Sequence, residues 1–434
     1  MCVVTERLLE FMRVLRLGMS GTDVMEIQSL LQRLGFDPGP LDGIFGRRTQ
    51  QAVIAFQRRF GLVPDGIIGL NTYRVMESFL LGYDMYTVQP GDTIFGIASR
   101  YGVNPDLIRV ANPNIDEYNL IIGQRITVPY GLNVVPTNVD YTYDILQRNV
   151  AGLKALYPFI ETGIAGQSVL GRNLYYIRLG QGPNQVFYNA AHHALEWITS
   201  PLLMKFAEDF SRAYALGQNI AGYVPSEIWD KSSIYIVPMV NPDGIDLVLN
   251  GLSPSNPFYN DLIRWNNGSI DFSNDWQANV RGVDLNHNYD AGWEASKAGE
   301  AALGITGPGP TRFSGTYPLS EPESRAMVDF TLSHDFRLVL AYHSQGEVIF
   351  WNFENMATQE AREIGEALAQ ASGYALEEAT GIASYAGFKD WFIKQFGRPG
   401  YTVEVGRGTN PLPISQFNQI YSDNLPLLLL ASVI

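Results

Sequence analysis

The residues best equipped for chemistry lie in Asn189-Ala-Ala-His192-His193-Ala-Leu195-Glu196-Trp197-Ile198. This stretch follows a β-like run, Gln185 to Tyr188, and precedes a helix-like run from Pro201. A zinc ion takes neutral imidazole and carboxylate donors at about 2 Å, and two donors three positions apart on a strand-to-helix turn can face one ion. His193 and Glu196 have that spacing. Alone the pair is a weak signal, because such pairs also occupy solvated helix faces. Polar blocks further along the chain add weight. Asn241-Pro-Asp-Gly244 ends the apolar strand Ser233 to Val240, and Gly282-Val-Asp-Leu-Asn286 comes next. Ser320-Glu-Pro-Glu323 leads to His343 at the end of the apolar strand Leu338 to Tyr342, and Tyr401-Thr-Val-Glu404 closes another. An open α/β sheet places its site at the C-terminal ends of its strands.

In this order the blocks resemble the zinc carboxypeptidase family, the carboxypeptidase A-like metallopeptidases, over residues 140–434. The resemblance implies an α/β catalytic domain with a mixed central sheet flanked by helices. It also implies a zinc held by His193, Glu196 and His343, with a fourth position open, as catalytic zinc requires. Of the five histidines, His192, His287 and His334 default to structural roles. Amide hydrolysis needs a base for the attacking water, and the resemblance puts it at Glu404. A partly desolvated carboxylate beside a metal suits that task. Where the family has an oxyanion-binding arginine, this chain has Gln277; either Gln277 or the nearby Arg281 is the candidate. Tyr385 stands for the family's mobile tyrosine, or is an aromatic packing residue. The family's exopeptidases clamp a terminal carboxylate with an Asn-Arg pair; here Asn286 is followed by His287, and Leu195 replaces another common arginine. Lys389 and Arg407 are candidate cations for a substrate carboxylate, or plain surface charges.

Ahead of this domain the chain carries two shorter patterned regions. Residues 13–80 show helical periodicity in Val24 to Leu31 and Thr49 to Gln57, with a repeated turn, Asp42-Gly-Ile-Phe-Gly46 and Asp65-Gly-Ile-Ile-Gly69. Each Asp-Gly step asks for a tight turn with positive φ at glycine. The run from Leu15 to Thr72 resembles the helical peptidoglycan-binding domain, which implies a small three-helix fold. Residues 84–130 read as strand, turn at Pro90-Gly-Asp-Thr93, helix Ile94 to Tyr101, helix Pro105 to Ala111 and returning strand Gln124 to Pro129. This resembles the lysin motif (LysM), a βααβ unit that holds glycans. Asp92, Thr93 and Asn112 lie in its loops, where turn and cap chemistry competes with glycan contact. Gly131 to Val139 lacks periodicity and reads as a linker.

Composition sets the outer limits. At 434 residues, 46% hydrophobic and 17% charged, the chain has the make-up of a folded protein of about three domains. A net charge of −14 argues against nucleic acid or an anionic membrane as partner. Cys2 is the only cysteine, so no intramolecular disulfide forms. Met1 to Arg16 lacks the apolar h-region of a classical signal peptide. Leu425 to Ile434 is too short to span a bilayer and reads as a buried final element.

Two wall-binding modules on a zinc peptidase imply peptidoglycan glycan strands and stem peptides as partners. They also imply a cell-wall or spore-associated location. The module order and Gly408-Thr-Asn-Pro-Leu-Pro413 look like enzymes that cut the γ-D-glutamyl bond to diaminopimelate or lysine. The competing expectations are a wall-anchored exocarboxypeptidase and a binding protein whose peptidase domain has lost its chemistry.

Overall fold

The computed structural model describes residues 13–434, so Cys2 and most of the Met1 to Arg16 stretch lie outside the described residues. The chain divides into two compact units. One comprises residues 13–140 and Gln147–Pro158, the other Tyr141–Leu146 and Phe159–Ile434.

In the first unit, helices α1 (Thr22–Arg33), α2 (Arg47–Arg59) and α3 (Leu70–Leu81) enclose a core that includes Leu30, Phe45, Val53, Phe56 and Met76. The sequence repeat has a physical basis. Gln28 points inward from α1, and its Nε2 reaches Asp42 Oδ1 and Ile44 O at 3.0 Å each and Thr49 Oγ1 at 3.2 Å. Its Oε1 accepts from Gly43 N–H at 2.9 Å. Gln57 repeats the set one helix later on Asp65, Ile67, Thr72 and Gly66. Both amides are buried, where an unpaired polar group is costly, so each turn is locked to the helix before it. Gly43 and Gly66 supply the positive φ, 68° and 72°.

The same unit contains β1 (Tyr83–Thr87), α4 (Ile94–Tyr101), α5 (Pro105–Ala111) and β2 (Arg125–Pro129). The two strands pair antiparallel from Tyr83↔Pro129 to Thr87↔Arg125 over a core that includes Val88, Ile97, Ile108, Ile126 and Val128. Gly131 to Val139 departs from the linker expected of it. Val134, Val135 and Val139 are buried, Arg33 donates to Asn133 O at 2.7 Å, and Ser29 donates to Asn138 Oδ1 at 2.8 Å. Three valines are enough to bury such a segment without any regular period.

The second unit is built on an eight-stranded mixed sheet in the order β3-β4-β6-β5-β7-β10-β8-β9. Its centre is parallel: β5 (Asn184–Ala190) lies between β6 (Ser232–Val237) and β7 (Phe336–Ser344), and β10 (Gly400–Val405) follows β7. Residues of β6 and β7 are buried almost throughout, which explains their near-continuous apolar sequences. Antiparallel β3 (Glu161–Gln167) and β4 (Asn173–Leu179) finish one edge, and β8 (Val348–Phe350) with β9 (Ala375–Glu377) the other. The C-terminal apolar run forms part of the helix Phe417–Val433, with Leu427, Leu428 and Leu429 fully buried. Among the described residues no helix is long and apolar enough to cross a membrane.

A buried polar network joins the loop at Asn279 to Glu321 and Glu323. Asn279 Nδ2 donates to Glu321 Oε2 at 2.9 Å and Glu323 Oε2 at 3.3 Å, and Val169 N–H donates to Glu323 Oε1 at 3.0 Å. Burial, with Asp243 and Glu321 nearby, pushes the Glu323 carboxyl up to about 8. The folded chain therefore keeps a proton that the unfolded chain releases near pH 4.5. Stability from this group is full below that pH and is lost as pH rises through 8. Glu323→Gln should flatten the fall in thermal stability between about pH 5 and 8 by a few kcal/mol. Parallel pH profiles for variant and parent would show that Glu323 is ionised in the fold.

Candidate metal centre

The half-site forms because β5 ends in a tight turn. Ala191 takes φ 58°, a left-handed conformation uncommon outside glycine, and a 3₁₀ turn follows over Ala194–Glu196. Side chains three apart eclipse in a 3₁₀ turn, so His193 and Glu196 face the same way. Asn241 holds this loop from behind. Its Nδ2 donates to His192 O at 3.0 Å and Ala278 O at 3.1 Å, while its Oδ1 caps the helix Pro242–Asn250 through Gly244 N–H at 3.0 Å. A Cβ on Gly244 would come within 2.5 Å of Ala278 O, so only glycine fits there. Ala194 N–H adds a bond to Gln277 O at 2.9 Å.

His343 arrives from the end of β7. His193 Nδ1 lies 2.8 Å from Glu196 Oε1 and His343 Nδ1 lies 2.8 Å from Glu196 Oε2. One donor atom from each residue falls within 4.8 Å of the others, and among the described residues this is the one such group. The chemistry of the donors fits zinc. Asp284 Oδ1 lies 3.0 Å from His193 Nε2, which sets the tautomer and leaves the Nδ1 lone pair for a metal. Burial opposes ionisation of Asp284, but His193, His287 and the N–H of Arg312 outweigh it and hold its carboxyl below the usual range.

Glu404 is the register partner of His343 across the parallel pair β7 and β10, which puts both side chains on one face of the sheet. It is half-buried and makes no hydrogen bond or ion pair among the described residues. Loss of water contact and the charge of Glu196 push its carboxyl well above the ordinary range, with His193 opposing.

The other expected site residues divide. Gln277 Oε1 accepts from Thr311 Oγ1 at 2.7 Å, which leaves its amide N–H groups to donate. Asn286 Oδ1 accepts from Phe388 N–H at 3.1 Å, and buried His287 contacts Ser296 Oγ through Nδ1 at 3.3 Å. Tyr385 is partly buried against the hydrophobic core, its ring lying over Gly292. The three cations are engaged elsewhere. Arg281 lies 3.6 Å from buried Glu321. Lys389 is buried, paired with Asp390 and donating to Asn352 O at 2.7 Å, and exposed Arg407 pairs with Glu347. Burial forces a lysine to find a partner, and sequence position alone did not show that Asp390 supplies it.

In the βααβ unit the loop residues are also consumed. Asp92 accepts from Tyr86 Oη and Gln89 N–H at 2.7 Å each and pairs with Arg100; Thr93 caps α4 at 3.0 Å through Gly96 N–H; Asn112 bonds Ile108 O and both polar groups of the Thr127 backbone. Exposed instead are Phe95, Tyr118, Ile121 and Ile122. A further residue missed in the sequence is Asn410, whose Nδ2 donates to Ser344 O at 2.6 Å and lies 3.5 Å from Glu196 Oε1. Its signal was its place in Gly408 to Pro413.

His343→Ala should abolish stoichiometric zinc. Asp284→Asn should weaken zinc affinity by about 10- to 100-fold, since an amide cannot set the His193 tautomer as a carboxylate does. Metal analysis of the purified variants checks both, and full zinc occupancy in His343→Ala would refute the ligand set.

Comparison with known proteins agrees with this geometry. Residues 147–427 match the zinc carboxypeptidase family, residues 20–76 a putative peptidoglycan binding domain and residues 86–129 the LysM domain. The chain is 42% identical over 290 residues to gamma-D-glutamyl-L-diamino acid endopeptidase 1 of Lysinibacillus sphaericus, covering 67% of this chain and 72% of that protein. It is 41% identical over 81 residues to the spore cortex-lytic enzyme of Bacillus cereus, covering 19% and 31%. Among solved structures, thrombin activatable fibrinolysis inhibitor shares the fold at a TM-score of 0.54 and 19% identity, over 68% of this chain and 74% of that one. With the family matched over most of its length and the three metal-binding side chains converged, the chain belongs to the zinc carboxypeptidase family.

Proposed function

We propose that the chain is a peptidoglycan endopeptidase that hydrolyses the amide between the γ-carboxyl of D-glutamate and a diamino acid in the stem peptide. The observation that carries this reading is a buried imidazole, His287, at the position of the exopeptidase carboxylate clamp, beside a complete metal-binding group. Burial keeps His287 neutral; Asp284 opposes this, while His193 and Arg312 reinforce it. A neutral ring cannot form the two-pronged bond by which guanidinium holds a terminal carboxylate. A free C-terminus then gains little, and a continuing chain meets no unpaired cation at that position. An exocarboxypeptidase would need the clamp. The intact ligand group and free Glu404 speak against a chain that only binds.

When bound, zinc supplies a Lewis acid that polarises the scissile carbonyl and acidifies water. The residues of the chain do the rest. The Glu404 carboxylate takes a proton from the attacking water and returns it to the leaving amine. Gln277 donates a neutral hydrogen bond to the carbonyl oxygen as charge grows there. Asp284 keeps His193 oriented. The first unit holds the enzyme near its polymer, which raises the local concentration of scissile bonds without new contacts at the site. Glycan contact in the LysM module falls to Phe95 and Tyr118, whose exposed rings suit the apolar faces of sugars.

Mass spectrometry of a defined muropeptide should show cleavage at the γ-D-glutamyl bond, abolished by chelator and restored by zinc. His287→Arg should move activity towards stems whose diamino acid is C-terminal, by about tenfold in the ratio of kcat/KM values. An unchanged ratio would remove His287 from the account of endo-specificity. Tyr118→Ala should lower binding to intact sacculi several-fold and leave the melting temperature alone; undiminished binding would count against the ring contact.

A further inference from the structure

We infer that Arg312 binds the free α-carboxylate of the γ-linked D-glutamyl residue, on the acyl side of the scissile amide. The inference rests on the proposed γ-D-glutamyl activity and asks what could recognise it. A glutamate joined through its γ-carboxyl differs from an ordinary acyl residue by that free α-carboxylate, a few bonds from the carbonyl under attack. Selecting it requires a cation on the acyl side.

Arg312 is placed for this by three observations. Its backbone N–H donates to Asp284 Oδ2 at 2.9 Å, and the other oxygen of Asp284 holds His193, so Arg312 is one carboxylate removed from the metal-binding group. Its neighbour Thr311 donates to Gln277 Oε1 at 2.7 Å, which ties the same loop to the group facing the scissile carbonyl. Arg312 also has φ 65°, an unusual conformation for a long polar side chain that persists only where its surroundings fix it.

Arg312 is exposed, and its guanidinium has no hydrogen bond or ion pair among the described residues. That sets it apart from Arg281, Lys389 and Arg407, each of which faces a carboxylate. In a chain with net charge −14, an exposed, unpaired arginine whose backbone is one carboxylate removed from the metal-binding group is an available anion site. Its charge reaches the ring of His287, which burial already holds neutral. A planar guanidinium gives a carboxylate two parallel bonds, so the contact is directional as well as ionic.

The test compares kcat/KM for two stem peptides, one with free D-glutamate and one with D-isoglutamine, in which the α-carboxylate is an amide. The zinc-loaded full chain should prefer the free acid by about 10- to 100-fold. Arg312→Gly is the variant of choice, because glycine keeps the left-handed backbone and hence the bond to Asp284. It should bring the preference to within about threefold, chiefly through KM, at unchanged zinc content; Arg312→Lys should retain part of it. A preserved preference in Arg312→Gly would overturn the inference. So would loss of discrimination between diaminopimelate and lysine in place of the glutamate preference, since that would put Arg312 on the amine side. If the parent enzyme cleaves neither peptide, the γ-D-glutamyl reading itself falls, a result distinct from either.

Discussion

The in-register parallel pairing of β5, β7 and β10 is the constraint on which the site depends. Ala190, the last residue of β5, lies opposite Tyr342, while β7 and β10 run two residues further with His343 opposite Glu404, so His343 and Glu404 stand just past the end of β5. Side chains alternate along a strand, and a slip of one residue would send Glu404 to the opposite face from His343. The buried residues of these strands fix the register, because both faces are packed and a slip would exchange the side chains that fill the two layers. Packing energy and catalytic geometry are thus set by the same choice.

Strand ends alone do not make a rigid centre, and the loops beyond them are held by buried, hydrogen-bonded side chains. Asn241 joins the His192 loop to Ala278 and to the start of its own helix. Asn279 joins the next loop to Glu321 and Glu323 and accepts from Arg281 and Val283 N–H groups. Asp284, at the end of that loop, carries the constraint to His193. Buried amides of this kind gain little net stability over water but cost heavily when a partner is lost. They specify one arrangement rather than adding strength.

Much of this was legible from residues. His193 and Glu196 could be picked out by their spacing after a β-like run, and His343 and Glu404 by the resemblance of the blocks around them to the zinc carboxypeptidase family, at strand ends where a site is expected. The βααβ helices were readable from caps and turns, since Thr93, Asn104 and Pro105 mark the helix starts locally. Pairing across sequence distance could not be read. Whether Lys389 is free depends on the carbonyl of Asn352 as well as on Asp390, and whether Arg407 is free depends on Glu347. Arg312 escaped notice for the converse reason, because nothing in its neighbours marks a residue that ends with no partner. Asp92, Thr93 and Asn112 were ambiguous in principle, since a side chain that caps a turn has the same composition as one that binds a sugar.

The place of β10 in the sheet carries a consequence for how the protein comes into being. The strand is formed by residues 400–405, after every other strand in sequence, yet it lies between β7 and β8 rather than at an edge. A ribosome must therefore deliver the polypeptide through Val405 before the sheet can close. The first unit and all three metal-binding side chains emerge earlier, but Glu404 and Asn410 come afterwards. A product terminated ahead of Gly400 would carry the first unit and the three metal-binding side chains without Glu404. Translation order thus brings Glu404 to the sheet only after the three metal-binding side chains have been made.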